Sequence, residues 1–409
     1  MLIKEIGKVV TGKTPPTENK EYYGGDYLFI TPADLHNNFY IKDSEKHIAE
    51  AGINIIRSNS LSGLSVLVGC IGWDMGNVAI VEKKCATNQQ INSITEFNEY
   101  ANPYYVYYWL KGKKDYLLTI ANVTRTPILS KSDFENIDIP LPEKRVQDLV
   151  ANSLKKLDEK IDNNLDICTN LENIINLIYE HWFIRFEFPD ENGNPYKSSG
   201  GNMVWSEELK RNIPNGWIVV NLMENDLCNI IDSGVEYFAL KNYLPTGNII
   251  NESITDGEYV TYENRKNRTN MQPVPYSVWF AKMKDSVKHL SIPGDAEWFT
   301  EKYVLSTGFE GLRCSEKSFA YIHSIIYSSY FEQQKDKLAH GATLERVNNE
   351  DLKNIKFVVP SERELQLFAN IVNPLLEMKF LLLHENQQLS AIRDFLLPLL
   401  MNGQVKIKS

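Results

Sequence analysis

Several short polar stretches carry side chains suited to gripping a polyanion. Base edges are read by planar or bidentate donors, and phosphates by positive charge, hydroxyls and amides. The densest basic run is Arg265-Lys266-Asn267-Arg268-Thr269-Asn270. Charge runs are usually solvated faces, but this one mixes Arg with Asn and Thr, the chemistry of groove contacts. Arg265, Lys266 and Arg268 are therefore candidates, and Lys282, Lys284 and Lys288 follow closely enough to line the same surface. Nearer the N-terminus, the loop Thr124-Arg125-Thr126 combines a guanidinium with two hydroxyls. Lys13, Thr14, Lys113 and Lys114 are candidates for positioning phosphates. Gln89 and Gln90 could donate to bases, although a pair placed just after a buried strand suits a structural role equally well.

Other chemistries find less support. Asn102-Pro103-Tyr104-Tyr105 has the look of an amino-methyltransferase loop but departs from it at the third position. No strand leads into a glycine-rich cofactor loop, so this stretch reads as a turn entering a helix. Pro189-Asp190 lacks the further carboxylate and lysine that a metal-dependent nuclease needs. No P-loop is present. The seven histidines include no metal-ligand pair at helical spacing.

The elements that must hold these residues occur twice. Asp133-Phe-Glu-Asn136-Ile137-Asp-Ile-Pro-Leu-Pro142 is echoed by Asp351-Leu-Lys-Asn354-Ile355-Lys-Phe-Val-Val-Pro360, and Ala151-Asn152 by Ala369-Asn370 at the same offset. Each copy runs into a long helical pattern. On that offset the loop Gly341-Ala-Thr-Leu-Glu-Arg346 is the counterpart of Thr124-Arg125-Thr126, which brings in Thr343 and Arg346, with Glu345 opposing. The expected organisation is a mixed α/β (α+β) domain over 1–142, a first helix over 143–183, a turn-rich connector over 184–217, a second α/β domain over 218–360, a second helix over 361–402 and a tail over 403–409. Tyr27–Ile30 and Asn77–Val81 read as buried strands, and Pro103–Lys111 as a short helix.

In the first long helix Val150, Leu154, Leu157, Ile161, Cys168, Leu171, Ile175, Ile178 and Trp182 keep heptad spacing, with Asn164 at the one polar core position. In the second, the apolar series is Ile371, Leu375, Met378, Leu382, Leu389, Ile392, Leu396 and Leu399, around the polar Glu385-Asn386-Gln387-Gln388. Two such helices predict an antiparallel coiled coil in which buried amides fix register.

The chain is long enough for two domains, and a hydrophobic content of 43% supports real cores. No apolar run nears the length of a membrane span, and the N-terminus lacks the core of a signal peptide. Five scattered cysteines without a CxxC read as reduced thiols in a cytoplasmic protein. The net charge of -10 opposes simple polybasic binding. Recognition of nucleic acid would need local basic patches, or a partner that supplies further phosphate contacts.

Four features together resemble the DNA-specificity (S) subunits of type I restriction–modification systems. They are Ile6-Gly7-Lys8-Val9-Val10-Thr11-Gly12-Lys13-Thr14-Pro15 followed by Ile30-Thr31-Pro32-Ala33-Asp34-Leu35; Asn88-Gln89-Gln90-Ile91; the Ile-Pro-Leu-Pro exit into Leu157-Asp-Glu-Lys-Ile161; and the connector from Phe186-Glu-Phe-Pro189 to Tyr196-Lys-Ser-Ser-Gly-Gly201. The resemblance spans almost the whole chain. It implies a non-catalytic subunit whose two domains each read half of a bipartite, gapped site in double-stranded DNA. It implies that the helices set the gap and dock two methyltransferase (M) subunits, with restriction/translocase (R) subunits joining. S-adenosylmethionine, ATP and Mg would then sit on those partners, with no cofactor in this chain. The second domain departs from the pattern: it has no Asn-Gln-Gln, and Ser306-Thr307-Gly308-Phe309 occupies the expected place. The competing class is a coiled-coil protein-interaction scaffold that does not bind DNA, to which the acidic balance lends support.

Overall fold

The computed structural model describes residues 1–36, 39–72, 75–123, 126–250, 252–405 and 407, with the side chains of 122 and 123 excepted. The chain packs as two compact units, one formed by 1–162 with 389–409 and the other by 163–388.

In the first unit eight strands are β1 (Lys8–Thr11), β2 (Tyr23–Ile30), β3 (Lys46–Ile48), β4 (Ser60–Leu61), β5 (Ser65–Gly69), β6 (Val78–Val81), β7 (Cys85–Thr87) and β8 (Ile91–Thr95). They form two sheets, ordered β1-β8-β5-β6 and β3-β2-β7-β4. The first is antiparallel throughout, and β2 and β7 run parallel in the second. Successive side chains of a strand face opposite ways. Val66 and Val68 of β5 accordingly join a core with Tyr105 and Tyr108 of α1 (Pro103–Lys111), while Leu67 faces Leu28 and Ile30 of the other sheet. The result is three layers: helix, sheet, sheet. The Asn102-Pro103 motif is a helix cap. Asn102 Oδ1 accepts from the backbone N–H groups of Tyr104 and Tyr105 at 2.9 and 3.2 Å, and Pro103 occupies the first turn, where its missing N–H costs nothing. The long helix α2 (Lys144–Tyr179) leaves from this unit.

The second unit repeats the plan strand for strand. β9 (Cys228–Ile230), β10 (Lys241–Leu244), β11 (Glu258–Val260), β12 (Thr269–Met271), β13 (Ser277–Ala281), β14 (His289–Ile292), β15 (Tyr303–Ser306) and β16 (Phe309–Cys314) form sheets ordered β9-β16-β13-β14 and β11-β10-β15-β12. Here β10 and β15 are the parallel pair. Val278 and Phe280 of β13 face Phe319 and Ile322 of α3 (Glu316–Ile326), while Trp279 and Ala281 face the other sheet. Gly311 lies opposite Trp279, whose ring fills the space a β-carbon would need. The repeated Asn-Ile pairs play the same part in each unit. Ile137 O accepts from Ile3 N, and Ile355 O from Leu222 N, so each copy ties the exit of its unit to the entry. The connector is more ordered than its turn formers suggest. It contains a hairpin of Met203–Ser206 with Arg211–Pro214 and buries Phe186, Phe188 and Trp217. The amphipathic helix α4 (Ser329–Leu338) follows α3, and α5 (Glu362–Met401) closes the chain.

α2 and α5 are antiparallel. In the second unit Asn164 Nδ2 donates to Asn386 Oδ1 at 2.8 Å, and Lys379 Nζ to Glu172 Oε2. In the first unit Arg393 pairs with the buried Asp158 at 2.6 Å. The α2 heptad is largely as expected, since Val150, Leu154, Cys168, Leu171, Ile175 and Trp182 are buried. The α5 stripe is offset from the expected heptad, of which Leu375 and Leu396 are half-buried against the cores. Its buried seam runs through Leu365, Ala369, Val372, Leu376, Lys379, Asn386, Leu397 and Leu400, with Ile371, Met378 and Ile392 exposed. Polar residues at seam positions hid the true stripe. The membrane expectation also needs correction: α5 is long and apolar enough, by length and composition, to cross a bilayer, although 39% of its most apolar window is buried.

Candidate nucleic-acid interface

One end of the β1-β8-β5-β6 sheet gathers most of the candidates of the first unit. There β1 and β5 finish and β8 and β6 begin. Gly12 leaves β1 pressed against the backbone of Thr87 and Asn88, where a β-carbon would overlap them. Asn88 and Gln90 bond to each other: Gln90 N donates to Asn88 Oδ1 and Asn88 Nδ2 to Gln90 Oε1. Gln90 is therefore structural, whereas Gln89 is exposed and accepts from Thr14 Oγ1 at 2.8 Å. Lys13 is exposed beside them. The β5–β6 turn joins the group through Cys70, whose N–H donates to Gln90 O and whose carbonyl accepts from Leu129 N; Gly72 N donates to Pro127 O. These bonds hang the loop ending in the exposed Thr126 on the same sheet end. Thr124 and Arg125 lie outside the described residues. Lys114 reaches Asn77 Oδ1 at 3.3 Å, at the start of β6, while the Lys113 ammonium lies over the Trp109 ring at 5.7 Å.

The second unit has the same three clamps. Lys282 N donates to Gly308 O, Val347 N to Lys282 O, and Lys284 N to Glu345 O. Their first-unit counterparts are Cys70 N to Gln90 O, Leu129 N to Cys70 O, and Gly72 N to Pro127 O. Loop 341–346, with Thr343 and Arg346 exposed, thus hangs where the Thr126 loop hangs. Thr307-Gly308 takes the place of Asn88–Gln90 between its two strands.

The lysines here are engaged. Lys282 pairs at 3.2 Å with the buried Glu310, whose burial raises its pKa despite the lysine. Lys284 pairs with Glu345 at 2.6 Å, and that hydrogen bond raises the lysine's own pKa. Lys288 Nζ donates to Thr246 O. Arg268 is exposed and offers its carbonyl to Thr307 N. Arg265 and Lys266 sit on the turn between β11 and β12, where Arg265 stacks on Tyr262 at 3.7 Å and Lys266 pairs with Glu258 at 3.7 Å.

The clamp beneath the β13–β14 turn has no signature in the sequence. Lys335 of α4 is fully buried, donates to Ser286 O at 2.9 Å and pairs with Glu332 at 2.6 Å. Glu332 also bonds His289 Nε2 at 2.8 Å, and Asp336 accepts from Asp285 N. Burial would raise the Glu332 pKa, but His289 and Lys335 outweigh it and hold the carboxyl low. In sequence Glu332 and Lys335 are an i,i+3 pair, indistinguishable from a solvated one.

Residues 1–173 match the family described as the type I restriction modification DNA specificity domain. The specificity subunit of the type I restriction enzyme MjaIX of Methanocaldococcus jannaschii is 28% identical, over 99% of this chain and 93% of its own length. The HindI specificity subunit of Haemophilus influenzae is 32% identical over 40% of this chain and 36% of its own length. The crystal structure of a type I S subunit from M. genitalium shares the fold, with a TM-score of 0.57 and 16% identity over 98% of this chain and 95% of the other. The likeness is to the DNA specificity domain over residues 1–173, and to a type I specificity subunit over nearly the whole chain. In this chain the five cysteines are buried and unbridged, and burial pushes the Cys70 and Cys85 thiols up to about 12. Such thiols are poor nucleophiles.

Proposed function

We propose that the chain is a type I restriction–modification specificity subunit that reads a bipartite DNA site, one half with each unit, through the equivalent sheet ends. The observation that carries the reading is the repeated clamp: the same three backbone hydrogen bonds present different side chains in the two units. Lys13, Thr14, Gln89, Lys113, Lys114 and the Thr124-Arg125-Thr126 loop serve one half-site. Arg265, Lys266, Arg268, Lys282, Lys284, Lys288, Thr343 and Arg346 serve the other. The local groups suit base reading and positioning better than bulk charge neutralisation, in keeping with the net charge of -10.

The chain itself does no chemistry on the DNA. Methylation from S-adenosylmethionine belongs to two methyltransferase subunits, and ATP- and Mg-dependent cleavage to restriction/translocase subunits, in the cytoplasm. The exposed apolar stripe of α5 in the second unit, with Ile371, Met378 and Leu381 at 44%, 52% and 59% exposure, supports docking of such a partner.

A base-resolution map of adenine methylation, with and without this gene, tests the reading. Loss of one gapped, bipartite motif on deletion is the expected result. An unchanged map, together with DNA binding insensitive to salt, would favour the protein scaffold instead.

A further inference from the structure

The tips that the second-unit clamp presents are apolar. Leu344, in loop 341–346, is 64% exposed, Val287 is 65% exposed and Met283 is 38% exposed. Isolated exposed aliphatic residues are ordinary. These three occupy two turns that the structure ties together. Met283 and Arg346 form a β-bridge, and Lys284 is bound to Glu345 through both backbone and side chain. His340 and Arg346 exchange N–H···O bonds of 3.1 Å in both directions, which closes loop 341–346 into a narrow hairpin with Leu344 near its tip. The turn below is held from inside by Lys335, Glu332 and Asp336. Aliphatic side chains are thus projected from a braced support, with ion pairs around them and Leu344 exposed.

Geometry limits what these tips can meet. Two joined turns are at least as broad as a two-stranded ribbon, whose strands lie about 4.8 Å apart before side chains are added. A ribbon enters the major groove, about 12 Å wide, and not the minor groove, about 6 Å wide. In the major groove the one apolar feature that distinguishes base pairs is the C5-methyl group of thymine. Two of the neighbouring cations are already paired, Lys282 with Glu310 and Lys284 with Glu345, so the collar is suited to register and the tip to discrimination.

We infer that Leu344, supported by Met283 and Val287, determines specificity by packing against the methyl group of a thymine in the half-site read by the second unit. This rests on the half-site reading above and names a base feature for one part of it. Burying one methyl-sized group contributes about fourfold in affinity.

The test uses the full chain in its methyltransferase assembly and duplexes carrying the motif found by methylation mapping. Each thymine of both half-sites is replaced in turn by deoxyuridine, which lacks only the methyl group. Binding should weaken about fourfold at one position, or two adjacent ones, in one half-site. Leu344→Ala should bind the thymine and uracil duplexes alike at that position, and Leu344→Met should restore the difference. Leu344 is exposed, so the alanine variant should keep its unfolding midpoint. A flat scan with the unsubstituted chain would overturn the inference and leave the half-site reading intact. So would a Leu344→Ala variant that still discriminates, or one that weakens both half-sites equally. A gene that directs no bipartite motif would remove the half-site reading, and this inference with it.

Discussion

Glu172 shows how a half-buried carboxylate can hold a helix pair. Burial alone would raise its pKa, yet the His323 imidazole and the Lys379 ammonium more than compensate and keep it well below the usual carboxylate range. Lys379 is shared with Glu252. A carboxyl whose folded pKa is depressed stabilises the fold above its unfolded value, about 4.3, and loses that contribution as the pH falls through the folded value. Glu172→Gln should therefore lower stability at pH 7 by about 1.5–3 kcal/mol. The deficit should shrink as the medium is acidified below about pH 4. Urea titrations at pH 7 and pH 3 measure both, and a deficit independent of pH would show that the ion pairs are not its source. At the same scale, Arg125→Ala should cost about 1–3 kcal/mol at one half-site only. Competition binding with single half-site substitutions checks this, since equal loss at both halves would mean misfolding or subunit loss.

At the scale of elements, α5 is a helix with two apolar stripes, and that is why its sequence misled. Apolar spacing marks the stripe of Ile371, Met378 and Ile392. The stripe that is buried carries Lys379, Asn386 and Arg393 among its aliphatic residues, each with a partner on α2. Polar seam members satisfied in pairs leave no mark in a periodicity of polar and apolar side chains. The buried amides themselves were legible, because Asn164 interrupts an otherwise apolar heptad. Asn164→Leu alone should cost about 1–3 kcal/mol by removing the amide that donates to Asn386 Oδ1 and Glu385 Oε2, and adding Asn386→Leu should recover part of it. Chemical denaturation of the four variants closes that cycle, and additive losses would argue against the pair.

The strands Tyr27–Ile30 and Asn77–Val81 and the helix Pro103–Lys111 also follow from pattern, as does the correspondence of loop 341–346 to the Thr126 loop. The clamp of Lys335 and Glu332 was invisible for the converse reason: burial of α4 comes from tertiary packing, which no local spacing records. Of the candidate contacts, basic runs showed where charge lies, but not that Lys282 and Lys284 are already paired.

For the molecule as a whole, α2 and α5 each pass from one unit to the other, so their length is the natural candidate for a ruler. Seven residues added to both helices, after Asp162 and after Gln388, lengthen each by roughly 10 Å without changing the facing seam. At about 3.4 Å per base pair the gap in the methylated motif should grow by roughly three base pairs. Methylation mapping of the altered strain reads this directly, and an unchanged gap would sink the ruler.

The repeated clamp has a bearing on heredity. Main-chain N–H and C=O groups hold the loops at both sheet ends, and every residue except proline supplies both. A codon change at Thr343 or Leu344 therefore leaves the support untouched while altering what the tip can touch. On the proposed reading, lineages carrying such genes would explore new target words by point substitution with little risk to folding, and an invading genome adapted to the old word would gain no protection against the new one.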